Sequence, residues 1–209
     1  MIKPEDLAHW YLRLNGFFTI TNFVVHPTRR GSQLTDGDIV GIRFPYRAEF
    51  PDGPGADEGI FKRLQDHPYF LIAEVKRGVC ELNTSWRENH QEKGSALLAL
   101  VQDLGPFPSS KITAVTSALL QDGCYSDEHL FASLFFVGTR FAPSLPPNAP
   151  KRTWADLLAF IFARFGEHRR IKADHEQWDP VGQELWRHFT CAAGQEAFIA
   201  GVKASCGIT

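Results

Sequence analysis

Two acids and one lysine stand where the chain is otherwise apolar. Glu74 and Lys76 interrupt the run YFLIAEVKRG at residues 69–78, and Asp38 opens a second apolar run, DIVGIRF, at residues 38–44. Side chains alternate across a strand. Phe70, Ile72, Glu74 and Lys76 therefore face one way, and Leu71, Ala73, Val75 and Arg77 the other. If the two runs pair as antiparallel strands, the start of one lies beside the end of the other, and Asp38 joins Glu74 and Lys76. Such a cluster is costly to leave partly buried without compensation. A hard divalent cation compensates well: Mg²⁺ takes oxygen ligands and is typically held by one or two carboxylates plus substrate phosphates. It would acidify a water and stabilise charge on a phosphodiester. Lys76 would orient or deprotonate that water, or stabilise the developing charge. These roles suit phosphodiester hydrolysis better than acyl transfer, because no Ser–His or Cys–His pairing stands out.

The surrounding pattern predicts the elements that must position this cluster. Pro4 with Glu5 and Asp6 suits a first helical turn, Leu7, Trp10, Tyr11 and Leu14 recur at helical spacing, and Gly16 ends the pattern. The spacing predicts strands over 17–26, 38–44 and 69–76, with a polar turn after the first and a long Pro/Gly-rich loop over 45–68. One helical turn is expected near 60–64, and a loop of that length tends to be functional. A capping box of Ser85 and Glu88 predicts a helix to about Leu104. Ser109 or Ser110 is expected to cap another through Leu120. A fourth strand, 131–137, is apolar enough to be buried on both faces. Beyond a proline-rich break at 142–150, helices are expected from Trp154 to about Phe165, over 181–189 and over 195–204. The order, one helix, three strands, helices and a strand, indicates an α/β fold with a mixed sheet flanked by helices.

Asp38, the hydrophobic strand that follows it, and Glu74-Val75-Lys76 within FLIAEVK resemble the active-site signature of the PD-(D/E)XK nuclease superfamily. The element order over residues 4–138 is similar to that superfamily's αβββαβ core. The resemblance implies a restriction-endonuclease-like domain over 1–142, with residues 143–209 as a C-terminal helical extension packed on it. It implies Mg²⁺- or Mn²⁺-dependent cleavage of nucleic acid, DNA before RNA. Asp38 and Glu74 would be metal ligands, the Val75 main-chain carbonyl would join them, and Lys76 would be the catalytic lysine. Some members add a glutamate from the first helix, here Glu5. The sequence departs from the pattern in having Gly37 instead of proline before Asp38, and in the long gap between Asp38 and Glu74. Many folds of this kind pair as homodimers so that one site serves each strand, and the sequence leaves monomer and dimer open. The alternative of another class is a catalytically silent nuclease-like module for binding or structure, in a defence or mobile-element system. A hydrolase of small phosphoesters is a third.

Other candidates compete with these. Asp36 shares a face with Asp38 by alternation but lies before the strand body, so Asp38 is preferred. Glu5 also serves the helix dipole. His9, His26 and His90 have no partner at metal-binding spacing and read as surface or core histidines. Lys151, Arg152, Arg164 and the run EHRRIK at 167–172 form the most basic region, a set of phosphate contacts or a solvated helix end. Arg29 and Arg30 read the same way, and Trp86 caps the core or stacks on a base.

Composition bounds the rest. The 209 residues are 44% hydrophobic and 22% charged, with a formal net charge of -2, so no global charge announces a nucleic-acid or membrane partner. The four cysteines show neither a zinc spacing nor a disulfide framework. The start, MIKPEDLAHW, lacks a signal-peptide core, and the apolar runs are too short to span a bilayer. The expectation is a cytoplasmic protein with reduced thiols.

Overall fold

A computed structural model describes residues 2–26, 34–46, 57–61, 66–87, 89–90, 94–167, 169 and 179–209. It is a mixed α/β structure built on one mixed sheet. After helix α1 (Pro4–Leu14) come β1 (Phe18–Val25), β2 (Thr35–Arg43) and β3 (Tyr69–Val75). Short elements follow: β4 (Val79–Cys80), α2 (Thr84–Arg87), β5 (Asn89–His90) and β6 (Gly94–Ser95). Then come α3 (Ala96–Leu104), α4 (Ile112–Gln121), β7 (Cys124–Ser126), β8 (Phe131–Gly138), β9 (Arg140–Phe141), β10 (Lys151–Thr153), α5 (Trp154–Glu167), α6 (Pro180–Cys191) and α7 (Gln195–Cys206).

The sheet runs β1-β2-β3-β8-β10, with β7 also paired to β8. β1, β2 and β3 are antiparallel neighbours, while β3, β8 and β10 are parallel. β3 and β8 lie at its centre and are buried almost throughout, which is why they read as unbroken apolar runs. One face packs against α1, α5, α6 and α7 through Leu7, Tyr11, Leu157, Phe165, Leu185 and Phe198. The other packs against α2, α3 and α4 through Trp86, Leu97, Leu100, Val115 and Leu119. Residues of β3 divide as alternation requires: Leu71, Ala73 and Val75 on the first face, Phe70 and Ile72 on the second.

Several expectations change. The helix expected from Ser85 to about Leu104 is two pieces, α2 and α3, separated by the β5–β6 hairpin. Ser95 caps α3 by accepting from the Leu98 amide at 3.2 Å, and Glu88 lies outside the described residues. The helix expected to be capped by Ser109 or Ser110 starts after Lys111 with no side-chain cap. The turn near 60–64 is a 3₁₀ turn, Gly59–Phe61. Besides that hairpin, four further short strands, β4, β7, β9 and β10, were not expected, and β10 brings the segment after the proline-rich break into the main sheet.

No helix among the described residues is long and apolar enough to cross a membrane. The C-terminal helices share one core with α1, and Gly182 of α6 lies so close to Trp10 that an added Cβ would stand 2.2 Å from the indole. Trp10 is buried and donates to Asp179 at 3.1 Å, so its ring has no room to withdraw. Gly182→Ala is expected to destabilise the whole protein by about 1–3 kcal/mol through overpacking. Urea unfolding checks this, and an unchanged midpoint would contradict it.

Candidate active site

The pairing of β2 with β3 ends at Ile39↔Ala73, although β2 extends back to Thr35 and β3 runs on to Val75. At the fork the Val75 N–H donates to Asp38 Oδ2 at 2.7 Å, a side-chain oxygen standing in for the ladder carbonyl. Continuing the register places Asp38 opposite Glu74. The N–H and C=O of one strand residue point to the same side. The Val75 carbonyl therefore opens on the same fork.

Glu74 is only 1% exposed, and Lys76 Nζ lies 2.5 Å from its Oε1 as an ion pair. The ammonium is thus the charged partner of this buried oxygen. Burial pushes the Glu74 carboxyl up to about 7; contact with Lys76 opposes this, and the Asp38 charge adds to it. Asp38 is also raised by burial, against the pull of the Val75 N–H and of Lys76, with Glu5 and Asp36 adding to the rise. Lys76 loses by desolvation, but Glu74 with Asp38 and Cys80 raises it by more, and its pKa ends above the ordinary lysine value. Lys76 is thus a cation at neutral pH. That suits charge stabilisation or orientation of a nucleophile and disfavours proton abstraction.

The main chain beyond β3 is tied down on every side. Lys76 N–H donates to the Val137 carbonyl at 2.9 Å, and the Trp154 indole donates to the Lys76 and Arg77 carbonyls at 3.0 and 3.2 Å. Thr139 Oγ1 donates to the Arg77 carbonyl at 2.8 Å. Trp154, at the start of α5, thereby links the C-terminal part of the chain to the site; its apolar neighbours at helical spacing mark it as core, and no sequence signal assigns it this contact. Glu74 and Lys76 also line an open cleft of about 410 Å³ with Val79, Glu81, Leu82, Asn83 and Thr84. Glu81, Asn83 and Thr84 are additions to the residues singled out from sequence.

Asp38, Glu74, Val75 and Lys76 therefore meet at one end of the sheet, and Asp36 and Glu5 lie near enough for their charges to act on Asp38. The other candidates lie elsewhere. Arg152 pairs with Glu58 at 2.7 Å and Arg164, 1% exposed, pairs with Glu167 at 3.0 Å. Both guanidinium groups close polar networks between elements, so neither stands as a solvated helix end. Lys151 donates to the Pro146 carbonyl at 3.0 Å. Arg29, Arg30 and most of the run at 167–172 lie outside the described residues, as does the His90 side chain. His9 Nδ1 is 2.7 Å from Thr19 Oγ1, and burial lowers its pKa. His26 is exposed at the end of β1, and Trp86 is fully buried.

The donor set fits a hard cation. Two carboxylates share the fork, the oxygen donors such an ion takes, and Glu74 Oε1 already holds one cation, the Lys76 ammonium at 2.5 Å. No group of three or more His, Cys, Asp or Glu side chains converges among the described residues. An ion here would complete its shell with water and substrate oxygens, as Mg²⁺ commonly does.

The raised Glu74 pKa carries a pH signature. Its folded value lies above the unfolded one, so its contribution to stability is full below about pH 4.5 and is lost as the pH rises through about 7. Every tenfold gain in proton affinity on folding corresponds to about 1.4 kcal/mol. Without added metal, the protein is expected to lose more stability between about pH 5 and about pH 8 than Glu74→Gln does. Urea unfolding of both at the two pH values checks this; equal losses would contradict it.

No family model, curated protein or solved structure matches this chain.

Proposed function

We propose that this protein is a metal-dependent nuclease that hydrolyses phosphodiester bonds, with DNA as its substrate, on a restriction-endonuclease-like fold. The observation that carries the reading is the forked end of β2 and β3, where Asp38 takes the Val75 N–H and stands across from Glu74 and Lys76. Asp38, Glu74 and the Val75 carbonyl are the groups that would hold Mg²⁺ or Mn²⁺. The bound ion would supply Lewis acidity toward water and phosphate oxygens. Asp38 is held in place by its bond to Val75, so its free oxygen keeps a fixed direction. Glu74 is raised by burial, and an ion beside it would favour its charged form as Lys76 does. Lys76 is 46% exposed and can swing from Glu74 to an incoming phosphate oxygen or to the attacking water. As a protonated amine it stabilises charge that grows on the phosphate as one P–O bond forms and the other breaks.

A second reading draws on the same ion pair. Because Lys76 already neutralises one of the two carboxylates, the fork would also serve a module that binds nucleic acid without cutting it.

Incubation of the protein with supercoiled plasmid and Mg²⁺ or Mn²⁺ separates the readings. Wild type is expected to nick or linearise the plasmid, while Asp38→Ala and Lys76→Ala lose on the order of a hundredfold or more in rate, the scale of a lost electrostatic or acid–base group. Chelator is expected to stop the reaction. Binding without cleavage under every condition, or cleavage that survives both substitutions, would overturn the nuclease reading.

A further inference from the structure

β1 is regular except at one residue. Asn22, with φ of 53°, is the one non-glycine residue with positive φ among those described. It lies opposite Asp38: the β1–β2 register pairs Thr21 with Ile39 and Phe23 with Gly37, and omits only the step between them. The register is the same on both sides, so no residue is inserted. Asp38 is thus the point at which β2 departs from regular pairing with both of its neighbours.

The consequence is visible in which face the side chains choose. Before Asn22, Thr19 meets His9 of α1 on the first face of the sheet. After it, Phe23 and Val25, which alternation would place on that same face, pack into the opposite core with α3. β2 changes over at the same level. Ile39 belongs to the α1 side, yet a Cβ on Gly37 would meet Leu100 of α3 at 3.4 Å. Thr35 likewise lies 3.0 Å from Ser85 of α2. Side chains alternate only while successive residues keep extended backbone angles, so a left-handed residue inside a ladder breaks the alternation. Asparagine tolerates that conformation and a β-branched residue does not.

We infer that Asn22 is a positioning residue for the candidate active site: its left-handed backbone reverses the facing of β1 and β2 and so releases the Asp38 carboxylate to bond the Val75 N–H. The link from Asn22 to that bond stands on strand geometry alone; its effect on catalysis rests on the nuclease reading. Residues held in sparsely populated backbone regions persist only where their surroundings over-determine them, and they cluster at functional sites. Here the surroundings are two strands that both exchange faces at one level.

Amide hydrogen exchange on the metal-free protein tests this without any activity. In Asn22→Gly, which keeps the left-handed region open, Val75 N–H is expected to stay as protected as in wild type. In Asn22→Val its protection is expected to fall by about tenfold or more, while Ile72 and Phe135 in the same sheet remain protected, the mark of a local opening. Asn22→Ala provides a milder block if the valine variant does not fold. Wild-type protection of Val75 in both the valine and alanine variants would overturn the inference, and so would an equal loss in Asn22→Gly. In the plasmid assay, kcat is expected to fall in Asn22→Val with KM unchanged and to be retained in Asn22→Gly. An inactive wild type would remove the nuclease reading alone, because the Val75 amide still decides the role of Asn22.

Discussion

The bond from the Val75 N–H to the Asp38 carboxylate is the contact on which the site depends. It replaces a ladder hydrogen bond at the point where β2 and β3 separate, and so keeps a buried backbone donor satisfied while opening the sheet. A carboxylate that accepts from the backbone is held in both position and rotamer. The same fork sets Asp38 against Glu74 and brings Lys76 to the mouth of the cleft. Remove the bond, and β2 and β3 would have either to zip together or to leave the Val75 amide unpaired.

The charges around that bond are finely balanced. Burial of Glu74 alone is unfavourable, contact with Lys76 offsets part of the cost, and Asp38 adds to it. Removing one partner of a buried pair is far more damaging than replacing both, because a lone desolvated charge remains. The surrounding frame is correspondingly rigid. Trp154, Thr139 and Val137 fix the chain at Lys76 and Arg77 with four hydrogen bonds. The helices after residue 150 matter to the site through this frame and through the core they share with α1.

Much of this was legible in the sequence. The unbroken apolar runs at 69–75 and 131–137 announced the two central strands, and the acid–amine spacing in EVK placed both groups at a strand end. The meeting with Asp38 followed from assuming antiparallel pairing. Other features were not readable because they depend on contacts distant in sequence. The two-residue strands exist only through their partners, and the apolar pattern after Ser85 is equally compatible with one long helix or with a turn, a hairpin and a helix. Arg152 and Arg164 looked like a basic surface because sequence does not reveal that Glu58 and Glu167 stand beside them. Strict alternation along β2 also fails before Asp38. Gly37 and Thr35 lie on the side of α2 and α3, and the trace of this in the sequence is an asparagine among β-formers, with a glycine at position 37.

The most direct measurement of the central claim is paramagnetic broadening of amide signals on titration with Mn²⁺. If Asp38, Glu74 and the Val75 carbonyl form one cation site, the amides of Asp38, Glu74, Val75 and Lys76 broaden first, below one equivalent, and Asp38→Asn abolishes the effect. Broadening that begins at exposed acids such as Glu128 or Glu196, with the fork unaffected, would contradict the account.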